Sequence, residues 1–451
     1  MTEKNIFEKG DIRLTYLKLA LPVVLGMAAS IIYNIADTYF IARTQNTALV
    51  AGVSLCAPVF TIIMAFGNIF GQGGMSLISR LFGKGDMANV KRVSSFCFYT
   101  ALATGALLAA LLLSLRGPAL SALGADEETF AYASQYFTVL AAGAPLILVS
   151  FIHMNLLRSE GFASLSMAAT MAGLLLNVIL DPIMITTMGM GAAGAALASV
   201  LGYVLQDVML LIFVLRKSKM LSVDPSLIRI TPSYAGQIFS VGISAALANW
   251  MSSLCLIVTN NFLLTYGNDK IAAMGIAQKV LMIVLLLIVG FSFGGAPIYG
   301  YYYGGRRMKE LKRLIRFVLC FLVGLSLLLS CVLFLAARSC VGVFLEDPSV
   351  MEAGVFILRC QILTMCLAAV VQVIIVVYQA SGRATEALIV SLMRQGIVFL
   401  AVILIASRLA GYHGIVWAQP VSDILTFVLA GTLFLKRYYL KLEAADRENN
   451  G

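Results

Sequence analysis

The most regular feature of the chain is a succession of long apolar runs from Leu14 to Phe434, separated by short stretches rich in Gly, Asp, Lys and Arg. A run of about 20 residues crosses the ~30 Å hydrocarbon core of a bilayer at a helical rise of about 1.5 Å per residue. The pattern predicts helices over 15–42, 49–79, 92–115, 130–157, 163–187, 191–215, 234–266, 271–303, 311–337, 350–378, 385–408 and 412–436. The expected fold class is therefore an all-α polytopic membrane protein with twelve transmembrane helices and no sizeable soluble domain.

Composition sharpens this. Hydrophobic residues make up 60% of the 451 positions and charged residues 12%, against about 25% charged in soluble domains, which excludes a water-soluble globule. The net charge of +10 would suggest nucleic acid in a soluble protein, but its placement here reads as topology. Lys4, Lys9, Arg13 and Lys18 precede an apolar run too long for a cleaved signal peptide. Of the 32 Lys and Arg, only Arg43, Arg116, Lys270, Arg338 and Arg408 fall on the outer side when the amino terminus is placed inside. The positive-inside rule then puts both termini in the cytoplasm of a multi-pass cell-membrane protein, with no nucleic-acid partner.

The halves match at an offset of 221. Gly73-Gly74 falls on Gly294-Gly295, Gly83 on Gly304, Met87 on Met308, Lys91-Arg92 on Lys312-Arg313, Asp126 on Asp347 and Gly161 on Gly382. An even number of helices precedes the second copy, so the repeat is parallel: two six-helix bundles related by a pseudo-two-fold along the membrane normal, with substrate sites expected between the halves. Residues 1–215 form the expected N-lobe. Residues 216–233, with Asp224-Pro225 and Thr231-Pro232, form a cytoplasmic linker, and 234–451 a C-lobe ending in a short cytoplasmic tail.

An ionisable side chain near mid-helix costs at least about 2.5 kcal/mol to insert, so such residues are functional candidates. They are Asp37, Asp181, Asp207, Asp423, Lys279, Arg359 and Arg394. Asp37 lies about 9 Å below outer Arg43 and Asp181 about 12 Å below Gly189. Ser199 descends to a similar level, and Asn177 sits one turn from Asp181 on the same face. Two carboxylates, an amide and a hydroxyl are thus expected to meet in the outer half of the first lobe. Two close acids cannot both stay ionised and unpaired there, so the site takes up a proton or a small cation such as sodium; the bland alternative is helix-to-helix hydrogen bonding alone.

Arg394 and Asp423, at similar depths on consecutive antiparallel helices, are expected to form a structural ion pair. Asp207 is open between the inner interface and a cavity, and Lys279 and Arg359 have no assignable partner. Pro22 removes a backbone bond within the first helix and marks either a moving bend or a static one. Gly71 to Gly74 and Gly294-Gly295 suit close helix packing or hinging. The eight cysteines lack CxxC spacing and read as small buried residues; the two histidines, His153 and His413, are too few for a haem carrier.

Several segments together resemble the multidrug and toxic compound extrusion (MATE) family: LALPVVLGMAASIIYNIADTYFIA at 19–42, RLFGKGDMANVKR at 80–92, NLLRSEG at 155–161, LLNVILDPIMI at 175–185 and GAAGAALAS at 191–199. NNFLLTYGNDKIAAMGIAQKV at 260–280 and YQASGRAT at 378–385 extend the likeness over the second half. The resemblance implies that Asp37, Asn177, Asp181 and Ser199 bind the coupling cation, serine standing where some relatives have threonine, and that Pro22 is the helix-bending proline. Acidic residues that one branch of the family carries on the seventh and tenth helices are missing from GISAALANWMSSLCLIV and ILTMCLAAVVQVIIVVYQ. The implied activity is export of amphipathic, often cationic, organic compounds in exchange for protons or sodium by alternating access.

A lipid-linked oligosaccharide flippase can share this architecture and is the alternative, with Lys279, Arg359 and Arg394 as its cations. The loop GKGDMANVKR lacks the pattern of major-facilitator transporters. With no nucleophile and base, metal-ligand cluster or phosphate loop, an enzyme is not expected. The expected partners are small amphipathic substrates and membrane lipid, with no cofactor beyond the coupling ion and a monomeric state.

Overall fold

The computed structural model describes residues 7–8, 10–343, 348–440 and 442. Among them all regular structure is helical, because backbone polar groups in hydrocarbon must be satisfied within the segment itself. In the first half, α1 is Ile12–Ala42, α2 Thr47–Lys84 with a break at Cys56, and α3 Met87–Ser114. α4 comprises Phe130–Ala142 and Ala144–Ser159, bent by 51°, while α5 is Ala163–Thr187 and α6 Gly191–Arg216. In the second half, α7 is Pro232–Leu264, α8 comprises Asn268–Gly294 and Ala296–Gly304, and α9 is Met308–Gly342. α10 comprises Val350–Ile362 and Met365–Ala380, bent by 49°. The stretch Ala384–Tyr439 holds two spans, α11 and α12, which meet where Gly411 leaves helical geometry at φ 54° and ψ −128°. With Ala384–Tyr439 counted as two, the twelve helices expected from hydropathy are present among the described residues.

Local sequence sets the ends. The Asn46 and Asp86 side chains accept backbone N–H groups at the starts of α2 and α3. Gly161 and Gly382, repeat partners, both turn the chain between helices in the left-handed region, at φ 94° and 75°. The tail beyond residue 442 and the segment 344–347, including Asp347, lie outside the described residues.

Contacts divide the chain into two compact units whose limits differ from a simple count of helices. Leu21–Gly242 falls in the first, and Phe7–Ala20 with the chain from Ile243 onward in the second. Within the first, the linker is stitched down: the buried Glu160 carboxylate accepts from Ser218 Oγ and the Lys219 N–H, Ser94 and Ser95 donate to the Ser222 carbonyl, and Tyr99 to that of Val223. The start of α7 joins the same unit at Gly73, where a Cβ would stand 2.1 Å from the Ile238 carbonyl oxygen. Within the second, the Tyr16 hydroxyl donates to the Phe291 carbonyl at 2.9 Å and Glu8 pairs with Arg307 at 2.8 Å. Gly294, the repeat partner of Gly73, approaches Ala20 so closely that a Cβ would meet its Cα at 2.3 Å. Both glycines serve close packing.

The cysteines are all free thiols. Cys56, Cys97, Cys255 and Cys360 are buried as expected, whereas Cys320 and Cys331 lie on the outer face of α9.

Candidate cation site

On α5, Asn177 and Asp181 are four residues apart and so share a face; both are buried, at 2% and 0% exposure. α1 brings the Asp37 carboxyl beside that of Asp181, close enough for the two to interact electrostatically. From α6, Ser199 Oγ accepts a hydrogen bond from Asn177 Nδ2 at 3.1 Å and lies 3.0 Å from the Tyr33 hydroxyl of α1. The structure thus gathers Asp37, Asn177, Asp181 and Ser199 in the first unit. Asp37 Oδ1, Asn177 Oδ1 and both Asp181 carboxylate oxygens are buried without a hydrogen-bond partner.

Below this cluster α5 and α6 nearly touch. A Cβ on Gly173 would stand 2.5 Å from the Gly202 carbonyl oxygen, and one on Gly202 2.7 Å from that of Gly173. Two facing glycines leave no side chains to fill the crossing. A small cavity results, lined by Tyr33, Asn177, Ser199, Gly202, Tyr203 and Gln206, with room for about one water.

This donor set is one-sided: oxygen acceptors converge and no cationic side chain pairs with the two acids among the described residues. Two unit charges 4 Å apart repel by roughly 4 kcal/mol at an effective dielectric of 20. A proton shared between the carboxyls relieves that repulsion, and so does a small cation replacing its hydration shell with carboxylate, amide and hydroxyl oxygens.

The other singled-out residues divide clearly. Arg394 Nε donates to Asp423 Oδ1 at 3.0 Å, and Gln419 and Thr364 also donate to that carboxylate. Pro22 lies inside a continuous α1, two residues past the point where the chain passes between units. Asp207 is buried in the first unit, its Oδ1 accepting from Ser150 Oγ at 2.7 Å. Arg359 is exposed over the Phe334 ring at 5.0 Å, and Lys279 is exposed on α8. Tyr33 was not singled out from sequence, although its place four residues before Asp37, on the same helical face, carries the signal.

Comparison with known proteins agrees with this architecture. The MatE family profile matches the chain twice, over residues 22–183 and 244–405. The multidrug export protein MepA of Staphylococcus saprophyticus subsp. saprophyticus is 29% identical over 441 residues, covering 98% of this chain and 97% of that protein. MepA of Staphylococcus aureus is 30% identical over the same length and coverage. Among solved structures, an outward-facing multidrug resistance MATE family transporter of the MOP superfamily superposes with a TM-score of 0.90 at 22% identity, covering 99% of each chain. A MATE crystal structure in the bent conformation gives 0.90 at 22% identity over the whole of both chains. The structural likenesses speak to fold; the doubled profile match, spread over both six-helix halves, places this chain in the MatE family.

Proposed function

We propose that this membrane protein exports amphipathic, often cationic, organic compounds across the cell membrane in exchange for protons or sodium ions, by alternating access. The observation that carries the coupling is the convergence of Asp37 and Asp181, with four buried oxygens of the cluster lacking partners. Ion occupancy there changes the charge inside the first unit, and Pro22, early in the helix that carries Asp37, is the position where α1 can bend in response. Asn177 and Ser199 complete the ligand set. The MepA relatives, multidrug export proteins by name, support the cargo class. The flippase alternative draws less support, since Arg394, one of its three cations, is committed to Asp423.

Dye efflux from proteoliposomes, under imposed proton and sodium gradients in turn, tests the reading. Wild-type protein should respond to one of them and Asp181→Asn to neither; a variant that exports at the wild-type rate would remove the coupling role.

A further inference from the structure

Two buried acids of the first unit lie outside the outer cluster: Glu160, which holds the linker, and Asp207. Asp207 is 5% exposed, its Oδ2 is buried with no hydrogen-bond partner, and no basic side chain pairs with it among the described residues. A lone carboxylate so placed is unfavourable unless it gains a counterion or a proton. Among the described residues, the oxygens that hydrogen bonding places there are the Ser150 hydroxyl and, 3.5 Å from that hydroxyl, the Tyr203 carbonyl. They are too few for a metal ion that takes about six. A proton fits.

Asp207 also follows directly on Gln206, which lines the small cavity between α5 and α6. Eight residues of α6, about 12 Å of rise, separate Asp207 from Ser199, and the cavity lined by Tyr33, Ser199, Gly202, Tyr203 and Gln206 occupies that interval. Tyr203 and Tyr33 line the same cavity; the Tyr203 carbonyl lies 3.5 Å from the Ser150 hydroxyl that donates to Asp207, and the Tyr33 hydroxyl lies 3.0 Å from Ser199 Oγ. We propose that Asp207 is an inner proton-binding residue that exchanges a proton with the Asp37–Asp181 pair through this cavity. The inference rests on the coupling reading above, with the proton as the coupling ion.

In the transfer, an O–H bond at Asp37 or Asp181 breaks and one forms at Asp207 Oδ2, with the proton passing by hydrogen-bond exchange through water in the cavity. The outer pair gains one negative charge and Asp207 loses one, so the unit's net charge is unchanged. The titratable and charged groups on the elements packed against it include Tyr203 and, nine residues after Asp207 on α6, Arg216; Tyr132, Tyr136, His153 and Arg158, whose Nε is buried without a partner, on α4; Asp181 on α5; and Tyr33 and Asp37 on α1. His153, buried with both ring nitrogens unpartnered and its ring tilted 48° to that of Phe98 at 5.2 Å, lies one turn beyond Ser150.

Infrared difference spectra of the purified full chain, recorded across a pH titration, read buried carboxyl groups directly. An Asp37→Asn, Asp181→Asn double variant should retain a titrating carboxylic-acid band contributed by Asp207, distinct from any of Glu160 or Asp423. Adding Asp207→Asn should abolish it, and Asp207→Glu should restore a shifted band if the asparagine variant proves misfolded by gel filtration. In proteoliposomes, Asp207→Asn should slow proton-driven dye efflux at least tenfold and flatten its pH profile while dye binding stays within twofold. No such band in the double variant, or a titrating spectrum that Asp207→Asn leaves unchanged, overturns the proposal. If Asp181→Asn instead exports normally, the outer coupling reading fails, and the band still reports on Asp207 by itself.

Discussion

The crossing of α5 with α6 and that of α11 with α12 occupy the same place in the two halves, and they are built in opposite ways. Positions 173 and 202, the facing glycines of the first, become 394 and 423 at the 221-residue offset, which are Arg394 and Asp423. One crossing brings backbones together and leaves a hollow beside unpartnered oxygens. The other fills the space with a buried ion pair braced by Gln419 and Thr364. The outer cluster differs in the same sense: around the position equivalent to Asp37 stand Val258 and Thr259, and at that of Ser199 stands Pro420. A repeated backbone has kept its chemistry in one lobe and locked the matching crossing of the other.

The largest test of that contrast removes a charge from the open side. Asp181→Asn should bring gradient-driven efflux down to that of protein-free liposomes without loss of membrane insertion, because the charge removed is unfavourable in lipid. Ile403→Val, at the matching buried position of α11, should leave efflux within about twofold, a conservative swap costing under about 1.5 kcal/mol. Equal loss in both would end the asymmetry between the lobes.

Next comes the locked side. Asp423→Ala strands the Arg394 guanidinium and should cost about 3–5 kcal/mol, read as a lower melting temperature in detergent, whereas an Arg394→Met, Asp423→Leu double variant should recover most of it. A double variant no better than the single would show that the pair is not a closed local unit. Gly202→Ala should cost less, about 1–3 kcal/mol, since its methyl would push α5 and α6 apart, and the same melting curves would register it.

The smallest effect lies outside the membrane. Thr129 donates its backbone N–H and its hydroxyl to Asp126 Oδ1, at 2.9 and 2.7 Å, and these bonds hold the exposed Asp126 carboxyl below its usual range. A depressed value in the fold means stabilisation that is complete above the unfolded value of about 3.9 and is lost as pH falls through the folded one. Melting curves of wild type and Thr129→Val should therefore differ at pH 7 and converge below about pH 4. A gap that stayed constant with pH would assign the effect to packing of Thr129 alone.

Much of this molecule was legible before any coordinates. Twelve apolar runs gave the helices, and the depths of Asp37 and Asp181, counted from Arg43 and Gly189, anticipated their meeting. The bends at Gly143 and Thr364, themselves 221 residues apart, were not legible, because a bend inside an apolar run leaves hydropathy unchanged. Nor was the grouping of Phe7–Ala20 with the second unit, which depends on Tyr16 meeting Phe291 and Ala20 meeting Gly294, 275 and 274 residues apart along the chain. Asp207 was visible as an anomaly but not interpretable, since its partner Ser150 is an ordinary serine on another helix.

Both α5 and α11 contain a π-helical turn, Ile183–Thr187 in the first and Met393–Ile397 in the second. The turn comes after Asp181 in α5 but near the middle of α11, so one added residue shifts the register of the downstream half of α11: buried Asn177 and Asp181 answer to buried Phe399 and Ile403 at an offset of 222. A helix advances about 100° per residue, so deleting a single residue from the second turn would rotate the rest of α11 by that angle. Which side chains look inward in this lobe is therefore governed by a length as much as by residue identity, and a one-codon slip could redraw its interior where several point substitutions would otherwise be needed.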